Sequence, residues 1–417
     1  MMARVSWVKE RIRAAAVMPA RLAVVPVLAV LVLAQCGTGP PRVGGGGAYL
    51  DPVPWRGTDR PPQGRILERL DAADLGTSFG ASARTVERLV YRSTGPTGAD
   101  SRVSGAFFIP RGTPPAAGWP VVSIAHGTVG VANRCGPTWD SRLRGYDKLV
   151  RSLLDAGYAV ALTDYEGLGD DGAHPYLDAG AAGRNVIDAV RVLHRLSADV
   201  DRRWAAVGDS QGGQAAWAAA ELAQDYGIGL DLVGAVTLSP PLNITPLAEA
   251  GEADALTDDQ RTVLPLIVEG ALNAGHDLGG VSARLGGVDD DLRARALGCD
   301  SAARAQAARH LASVGGLDLS ADEWDLLSGV LRQNALPKKP TTVPVLVVNG
   351  DRDQMIPAEW TGRAIAQACS FGTGVDHRFE DAGHSDLRID SRATDWLASR
   401  FAGDPVQATC VQEGANR

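Results

Sequence analysis

Lysine, aromatic residues and cysteine are scarce in this chain of 417 residues. Lysine stands only at positions 9, 148, 338 and 339, aromatic residues make up 5%, and there are 5 cysteines. Positive charge is not in excess: 49 acidic residues face 41 basic ones, for a formal net charge of -8. Nucleic-acid binding rests on basic surface that neutralises phosphates, so no nucleic-acid partner is expected. The sequence contains no CxxC, no HExxH and no clustered His–Cys pair. No metal site and no cofactor are therefore expected. Beyond the N-terminal region no apolar stretch approaches the roughly 18 residues of a membrane-spanning helix, and no internal repeat is present. What remains is the composition of a packed globular protein, 45% apolar and 22% charged. The length suits two or three average domains, or one large α/β domain carrying an insertion.

The N-terminal region is the exception to this pattern. Arg4, Lys9, Arg11, Arg13 and Arg21 face a single acid, Glu10, and an apolar run from Leu22 to Ala34 follows, broken only by Pro26. A basic leader before a short apolar run has the plan of a signal peptide, residues 1–35; a retained N-terminal anchor is the alternative. Leu33-Ala34-Gln35-Cys36 resembles a bacterial lipobox, with Gln35 where a small residue is usual. Cys36 is accordingly the candidate lipidation site and the first mature residue. Residues 36–48, rich in glycine, read as a flexible tether. The expected location is outside the cytoplasm, secreted or held to the cell envelope as a lipoprotein, and a monomer. Such a compartment favours two bridges among Cys135, Cys299, Cys369 and Cys410, for which three pairings are open.

Residues 49–80 are polar and proline-containing and read as a lead-in segment. Strand-like runs follow at 86–93, 103–109, 120–125, 158–162, 204–207 and 232–238. Helical periodicity covers 142–155, where Leu143, Tyr146, Leu149, Leu153 and Leu154 form an apolar stripe ended by Gly157. It recurs at 181–196 and 211–226. Strands alternating with helices call for a mostly parallel sheet with helices on both faces. The alternation stops between Pro241 and Leu336, where helices at 259–274, 289–297, 302–311 and 321–333 are expected. It resumes with strands at 343–348 and 376–379 and helices at 358–368 and 385–401. The organisation expected is a first core part over 49–240, a helical cap insertion over 241–336, and a second core part with the C-terminal tail over 337–417.

Gly208-Asp209-Ser210-Gln211-Gly212 fits the G-x-S-x-G nucleophile elbow. It follows a short apolar strand and opens an alanine-rich helix. Gly208 and Gly212 permit the sharp turn that pushes the Ser210 hydroxyl outward. The Gln211 N–H then lies beside it at a helix N-terminus, which favours a developing oxyanion. A second oxyanion donor is expected in the loop after the 120–125 strand, from Thr128, with Gly127 allowing close backbone approach and His126 orienting the loop. A serine nucleophile needs a base, and the base an orienting acid, in the chain order Ser, Asp or Glu, His. Asp353, after the 343–348 strand, is the candidate acid and Asp351 its rival. His384, in a small-residue loop before the last helix, is the candidate base, and His377, inside a strand, its rival. His174, His194, His276 and His310 lack the strand-end context. Asp164, Tyr165 and Glu166 follow the 158–162 strand and read as a hydrogen-bonded structural loop.

Four blocks carry a resemblance. They are Ala125-His126-Gly127-Thr128, Thr163 to Gly169 with His174-Pro175-Tyr176-Leu177 after it, Gly208 to Gly213, and Gly350-Asp351-Arg352-Asp353 followed by His384. On these the chain resembles the secretory lipase family of the α/β-hydrolase superfamily, as a bacterial member of the fungal lipase A type, over about residues 60–405. The resemblance implies an α/β-hydrolase fold with a helical cap, and Ser210, Asp353 and His384 as the triad. It further implies hydrolysis of carboxylic esters, triacylglycerols included, without metal or cofactor. It also implies the pairing of Cys135 with Cys299 and of Cys369 with Cys410. Fungal lipase A has an aspartate at the position of Thr128. Two other functions stay open on the sequence: a serine peptidase or amidase on the same fold, and a non-catalytic binding protein of the cell envelope.

Overall fold

In the computed structural model, which describes residues 62–406, 408 and 410, the chain alternates strand and helix as the apolar pattern implies. The leader, Cys36 and the tether lie outside the described residues. The first half comprises β1 (Ile66–Leu70), α1 (Ala73–Phe79), β2 (Ala83–Thr94), β3 (Asp100–Pro110), β4 (Trp119–Ala125), α2 (Asp147–Asp155) and β5 (Ala159–Glu166). It continues with α3 (Ala179–Leu196), β6 (Val200–Asp209), α4 (Gln211–Leu222) and β7 (Asp231–Leu238). Six helices come next: α5 (Pro246–Glu252), α6 (Asp258–Asn273), α7 (Val281–Gly286), α8 (Asp290–Ala296), α9 (Ser301–Ser313) and α10 (Ala321–Asn334). The chain then adds β8 (Val345–Gly350), α11 (Ala358–Ser370), β9 (Val375–Glu380) and α12 (Ser391–Ala402).

The nine strands among the described residues form one sheet in the order β1-β2-β3-β5-β4-β6-β7-β8-β9. The pairs from β1 to β5 are antiparallel, and those from β5 through β4, β6, β7 and β8 to β9 are parallel. Successive side chains of a strand point to opposite faces, which sorts the core. Phe107, Val121 and Ala206 pack with Val186 of α3, Ala215 of α4 and Ala364 of α11. Their neighbours Phe108, Val122 and Ala205 pack with Phe79 of α1, Leu153 of α2 and Trp396 of α12. Both faces are thus covered, as a parallel sheet requires. The result is an α/β-hydrolase fold. Helices α5 to α10 have an apolar core of their own, including Leu264, Leu311, Trp324 and Leu327. Among the described residues, no helix is long and apolar enough to cross a membrane.

Residues 62–80 of the lead-in segment are more ordered than their composition implies, because they contain β1 and α1. Leu75 and Phe79 are buried on α1, and Arg88 fixes the segment by hydrogen-bonding Asp74 and the Asp71 carbonyl. The helix expected from 142 starts at Asp147, because Leu143 and Arg144 have positive φ, 50° and 49°. The strand expected over 158–162 runs on to Glu166, so Asp164 and Tyr165 lie on the strand rather than in a loop after it. The last helix starts at Ser391 rather than 385, where the Asp390 side chain accepts the Arg392 and Ala393 amides and caps it. The helix expected to reach Tyr226 ends at Leu222, and α5 and α7 were not expected.

Candidate active site

The parallel strands β4, β6, β8 and β9 end on the same side of the sheet, and the loops that leave them bring the chemistry together. Ser210 follows β6 and adopts φ 51° and ψ -123°, a strained conformation for a residue with a Cβ. The strain turns the chain sharply from strand to helix and needs small neighbours. A Cβ on Gly212 would lie 1.9 Å from the Ala125 carbonyl oxygen, and one on Gly208 would lie 2.1 Å from that of Gly212. The turn is held by the Ser210 N–H, which donates to the Leu238 carbonyl at 2.8 Å.

His384 and Asp353 complete a continuous hydrogen-bonded chain. The Ser210 hydroxyl lies 2.8 Å from His384 Nε2, and His384 Nδ1 lies 2.7 Å from Asp353 Oδ2. The acid is fixed from its other oxygen, since Asp353 Oδ1 accepts the Met355 and Ile356 amides at 2.9 and 2.8 Å. Its side chain is wholly buried. A buried carboxylate so held can keep an Nδ1–H imidazole in place, leaving Nε2 free to accept the serine proton. The rivals lie elsewhere. Asp351 is exposed, with its amide donating to the Glu380 carbonyl, and His377 on β9 contacts Asn349 Oδ1 at 3.0 Å.

The loop after β4 lies against the elbow, since Ala125 pairs with Gly208 across the parallel strands. A Cβ on Gly127 would meet Asp209 Oδ2 at 2.6 Å, so glycine allows the close approach there. The Gly127 N–H is already taken: it donates to the Tyr146 hydroxyl at 2.7 Å, and that hydroxyl donates to Asp209. Burial pushes the Asp209 carboxyl upward from its ordinary value, opposed by this hydrogen bond. His126 is fully buried and does not meet Ser210. Its Nδ1 lies 2.7 Å from the Gly127 carbonyl and its Nε2 3.2 Å from that of Asp164, and burial lowers its pKa to about 4. The Thr128 hydroxyl pairs with the Tyr176 hydroxyl at 2.7 Å.

Gln211 contributes more than the amide read from the sequence. Its side-chain Nε2 donates to His174 Nε2 at 2.9 Å, while His174 Nδ1 donates to the Glu166 carbonyl at 2.8 Å. Burial lowers the His174 pKa to about 3, so the ring is neutral and Nε2 is a pure acceptor. His174 therefore belongs with the elbow, although the lack of strand-end context sets it aside as a base and it is marked only as part of a block that carries the family resemblance. Asp164 is also buried; it accepts the Thr138 amide at 2.9 Å and the hydroxyls of Ser104 and Thr138 at 2.6 Å each. It braces the strand end below the site.

The helices between β7 and β8 supply none of the three residues of the chain but are tied to the loop after β4 that lies against the elbow. Cys135 is bonded to Cys299, and the Val131 amide donates to the Leu297 carbonyl at 3.0 Å. Cys369 is bonded to Cys410, which holds the tail to α11. A pocket of about 390 Å³, counted with its open mouth, lies between α4 and α6 and is walled by Tyr176, Gln214, Leu242, Ile267 and Leu331. Among the described residues, no group of three or more His, Cys, Asp or Glu side chains can hold a metal ion.

Comparison with known proteins supports the family and the fold. A sequence model described as secretory lipase matches residues 143–409. A Mycobacterium tuberculosis protein named as a probable inactive lipase is 26% identical over 353 residues, covering 77% of this chain and 75% of that one. Candida antarctica lipase A in its closed state superposes with a TM-score of 0.64 at 15% identity, covering 84% of this chain and 85% of that one. The esterase LipA from Xanthomonas oryzae gives a TM-score of 0.59 at 21% identity, covering 82% of this chain and 97% of that one.

Proposed function

The chain belongs to the secretory lipase family, and from that premise we propose that Ser210 is its nucleophile, His384 its general base and Asp353 the acid that orients the base. The protein is an acyl-ester hydrolase of the lipase/esterase type. The observation that carries the assignment is the unbroken hydrogen-bonded chain from the Ser210 hydroxyl through both nitrogens of His384 to Asp353. His384 takes the hydroxyl proton as the oxygen attacks the ester carbonyl. The Gln211 N–H, in the first turn of α4 where amides have no intrahelical acceptor, and the Thr128 N–H stabilise the oxyanion. His384 then protonates the departing alcohol, and water activated by the same imidazole releases the acid from the acyl-enzyme. No metal or cofactor enters this scheme.

The alcohol must leave within reach of His384. The acyl chain is assigned to the pocket walled by Tyr176, Gln214 and Leu242, because Gln214 lies one turn along α4 from Ser210 and its amide donates to the Ser210 carbonyl at 3.1 Å. In this reading residues 241–336 act as a cap over that pocket, and triacylglycerols are within the substrate class. The basic leader supports export, and Cys36 supports lipid attachment at the cell envelope. The name of the mycobacterial relative carries the opposite reading, a site without turnover; the intact Ser210–His384–Asp353 chain favours turnover. An amidase would use the same three groups.

Hydrolysis of p-nitrophenyl esters from acetyl to palmitoyl, an emulsified triacylglycerol and a matching anilide tests the reading. Ester turnover that is lost in Ser210→Ala is expected, with little anilide turnover. A folded wild type without ester turnover, or equal turnover in Ser210→Ala, contradicts it. The reach of activity along the acyl series and into the emulsion separates a lipase from an esterase.

A further inference from the structure

The N-terminal end of α6 is capped by a reciprocal pair. Thr257 Oγ1 accepts the Gln260 amide at 3.2 Å, and Gln260 Oε1 accepts the Thr257 amide at 3.0 Å. Such a box satisfies two amides that the first turn leaves open. Each of these side chains has a further polar function, and both are spent on one target. The Thr257 hydroxyl donates to the Gln354 carbonyl at 2.9 Å, and Gln260 Nε2 donates to the Met355 carbonyl at 3.3 Å. Gln354 and Met355 directly follow Asp353, and Met355 is the residue whose amide donates to Asp353 Oδ1. Ile356, whose amide makes the second bond to Asp353, packs its side chain into the apolar core of the inserted helices.

Helix α6 is held at its other end too. Asn273 donates to the His174 carbonyl at 3.1 Å, and a Cβ on Gly270 would lie 2.5 Å from the Tyr176 carbonyl oxygen. The helix therefore bridges the loop behind the triad acid and the loop that holds the Gln211 side chain. A helix of 16 residues spans roughly 24 Å, so the two grips are well separated and resist rotation about either.

We propose that Gln260, with Thr257, is a positioning residue for catalysis: it clamps the 354–355 backbone from the inserted helices and so fixes the carboxylate of Asp353 against His384. The inference rests on the reading of Asp353 as the orienting acid. A clamp of this kind acts on the orientation of the triad, not on substrate binding. Its loss lowers kcat and leaves KM unchanged, by roughly ten- to a hundredfold for a displacement of about 1 Å. It also weakens the downfield proton resonance of the imidazole–carboxylate hydrogen bond.

Gln260→Glu separates the clamp from the cap. Glutamate still accepts the Thr257 amide, but it has no N–H for the Met355 carbonyl. Kinetics on a p-nitrophenyl ester, the downfield proton spectrum and the melting temperature are measured on the full chain. Asp259→Asn, an exposed change in the same helical turn, controls for simple weakening of α6. The expected result is a drop in kcat and a weakened resonance in Gln260→Glu alone, with KM kept. Wild-type kcat and resonance in a folded Gln260→Glu overturn the clamp. If that variant does not fold, Thr257→Val and Thr257→Ser carry the test: valine should lose kcat and serine restore it, and equal kcat in the two overturns the clamp. Asp353→Asn stands beside them. Full activity there overturns the site assignment and the clamp with it, whereas a dead Asp353→Asn beside an unaltered Gln260→Glu overturns the clamp alone.

Discussion

The strand-end loops of the sheet and the inserted helices use the same kinds of bond for different ends. In the loops after β4, β6, β8 and β9, close backbone approach and buried hydrogen bonds aim a few side chains at one another, and Ser210 is held in a strained conformation to do so. Four of the inserted helices, α6, α8, α9 and α10, have side-chain N-caps, with boxes at Thr257 and Ser320, and the insertion offers no side chain to the Ser210–His384–Asp353 hydrogen-bonded chain. Their links to the site are braces: the Cys135–Cys299 bond, the Leu297 carbonyl under Val131, and the Thr257 and Gln260 contacts to the acid loop. The strain at Ser210 sits at a strand end where packing over-determines it, and the insertion, where Asp254 also has a positive φ of 51°, limits how far the loops can relax.

The largest change expected from a single methyl group is at Gly212. Alanine there would place a Cβ 1.9 Å from the Ala125 carbonyl, forcing the elbow away from the β4 loop. Gly212→Ala should cost about 4 kcal/mol or more of stability and nearly all ester turnover. Chemical denaturation and an ester assay check both; a stable, active variant would show that the elbow is not held by close approach.

How much of this was legible beforehand differs between the two regions for the same reason. The elbow, Asp353 and His384 sit at strand ends, and a strand end is marked in sequence by an apolar run and small residues. Bonds between distant side chains carry no such mark. His174 lies 37 positions from Gln211 and meets it only because β5 and α4 are brought together. The Tyr146 hydroxyl reaches Gly127 and Asp209 from the residue just before α2, a position that helical periodicity places inside the helix. Leu143 fits a helical stripe by spacing, yet it and Arg144 have positive φ, which hydrophobic periodicity does not report. β1 and α1 were hidden because their order comes from burial of Leu75 and Phe79 under the sheet, not from local composition.

Cutting a brace should affect stability more than chemistry. Replacing Cys135 and Cys299 together by serine removes a bond that closes a loop with a sequence separation of 164 residues. The expected loss is roughly 2–4 kcal/mol, read by denaturant titration, with ester turnover at room temperature close to wild type. A variant that keeps its stability but loses turnover would place the insertion among the reacting groups.

The smallest effect lies inside the insertion. The Arg284 guanidinium beside Glu323 lowers that carboxyl from 4.5 to about 2. A carboxylate with a depressed pKa in the folded state contributes stability that is present above its unfolded value and is lost as pH falls through the folded one. The insertion should therefore weaken between pH 4.5 and about 2, by about 1 kcal/mol for a partly exposed pair. Glu323→Gln should remove that share of the acid sensitivity in pH-dependent melting while leaving turnover at neutral pH intact.

The central claim, that the loops do the chemistry and the insertion holds them, is tested most directly by the burst of p-nitrophenolate from p-nitrophenyl acetate before steady state. The account predicts one equivalent of product per chain in the wild type and in the Cys135→Ser, Cys299→Ser pair, and none in Ser210→Ala. A burst that survives in Ser210→Ala, or one that vanishes when only the disulfide is removed, would contradict it.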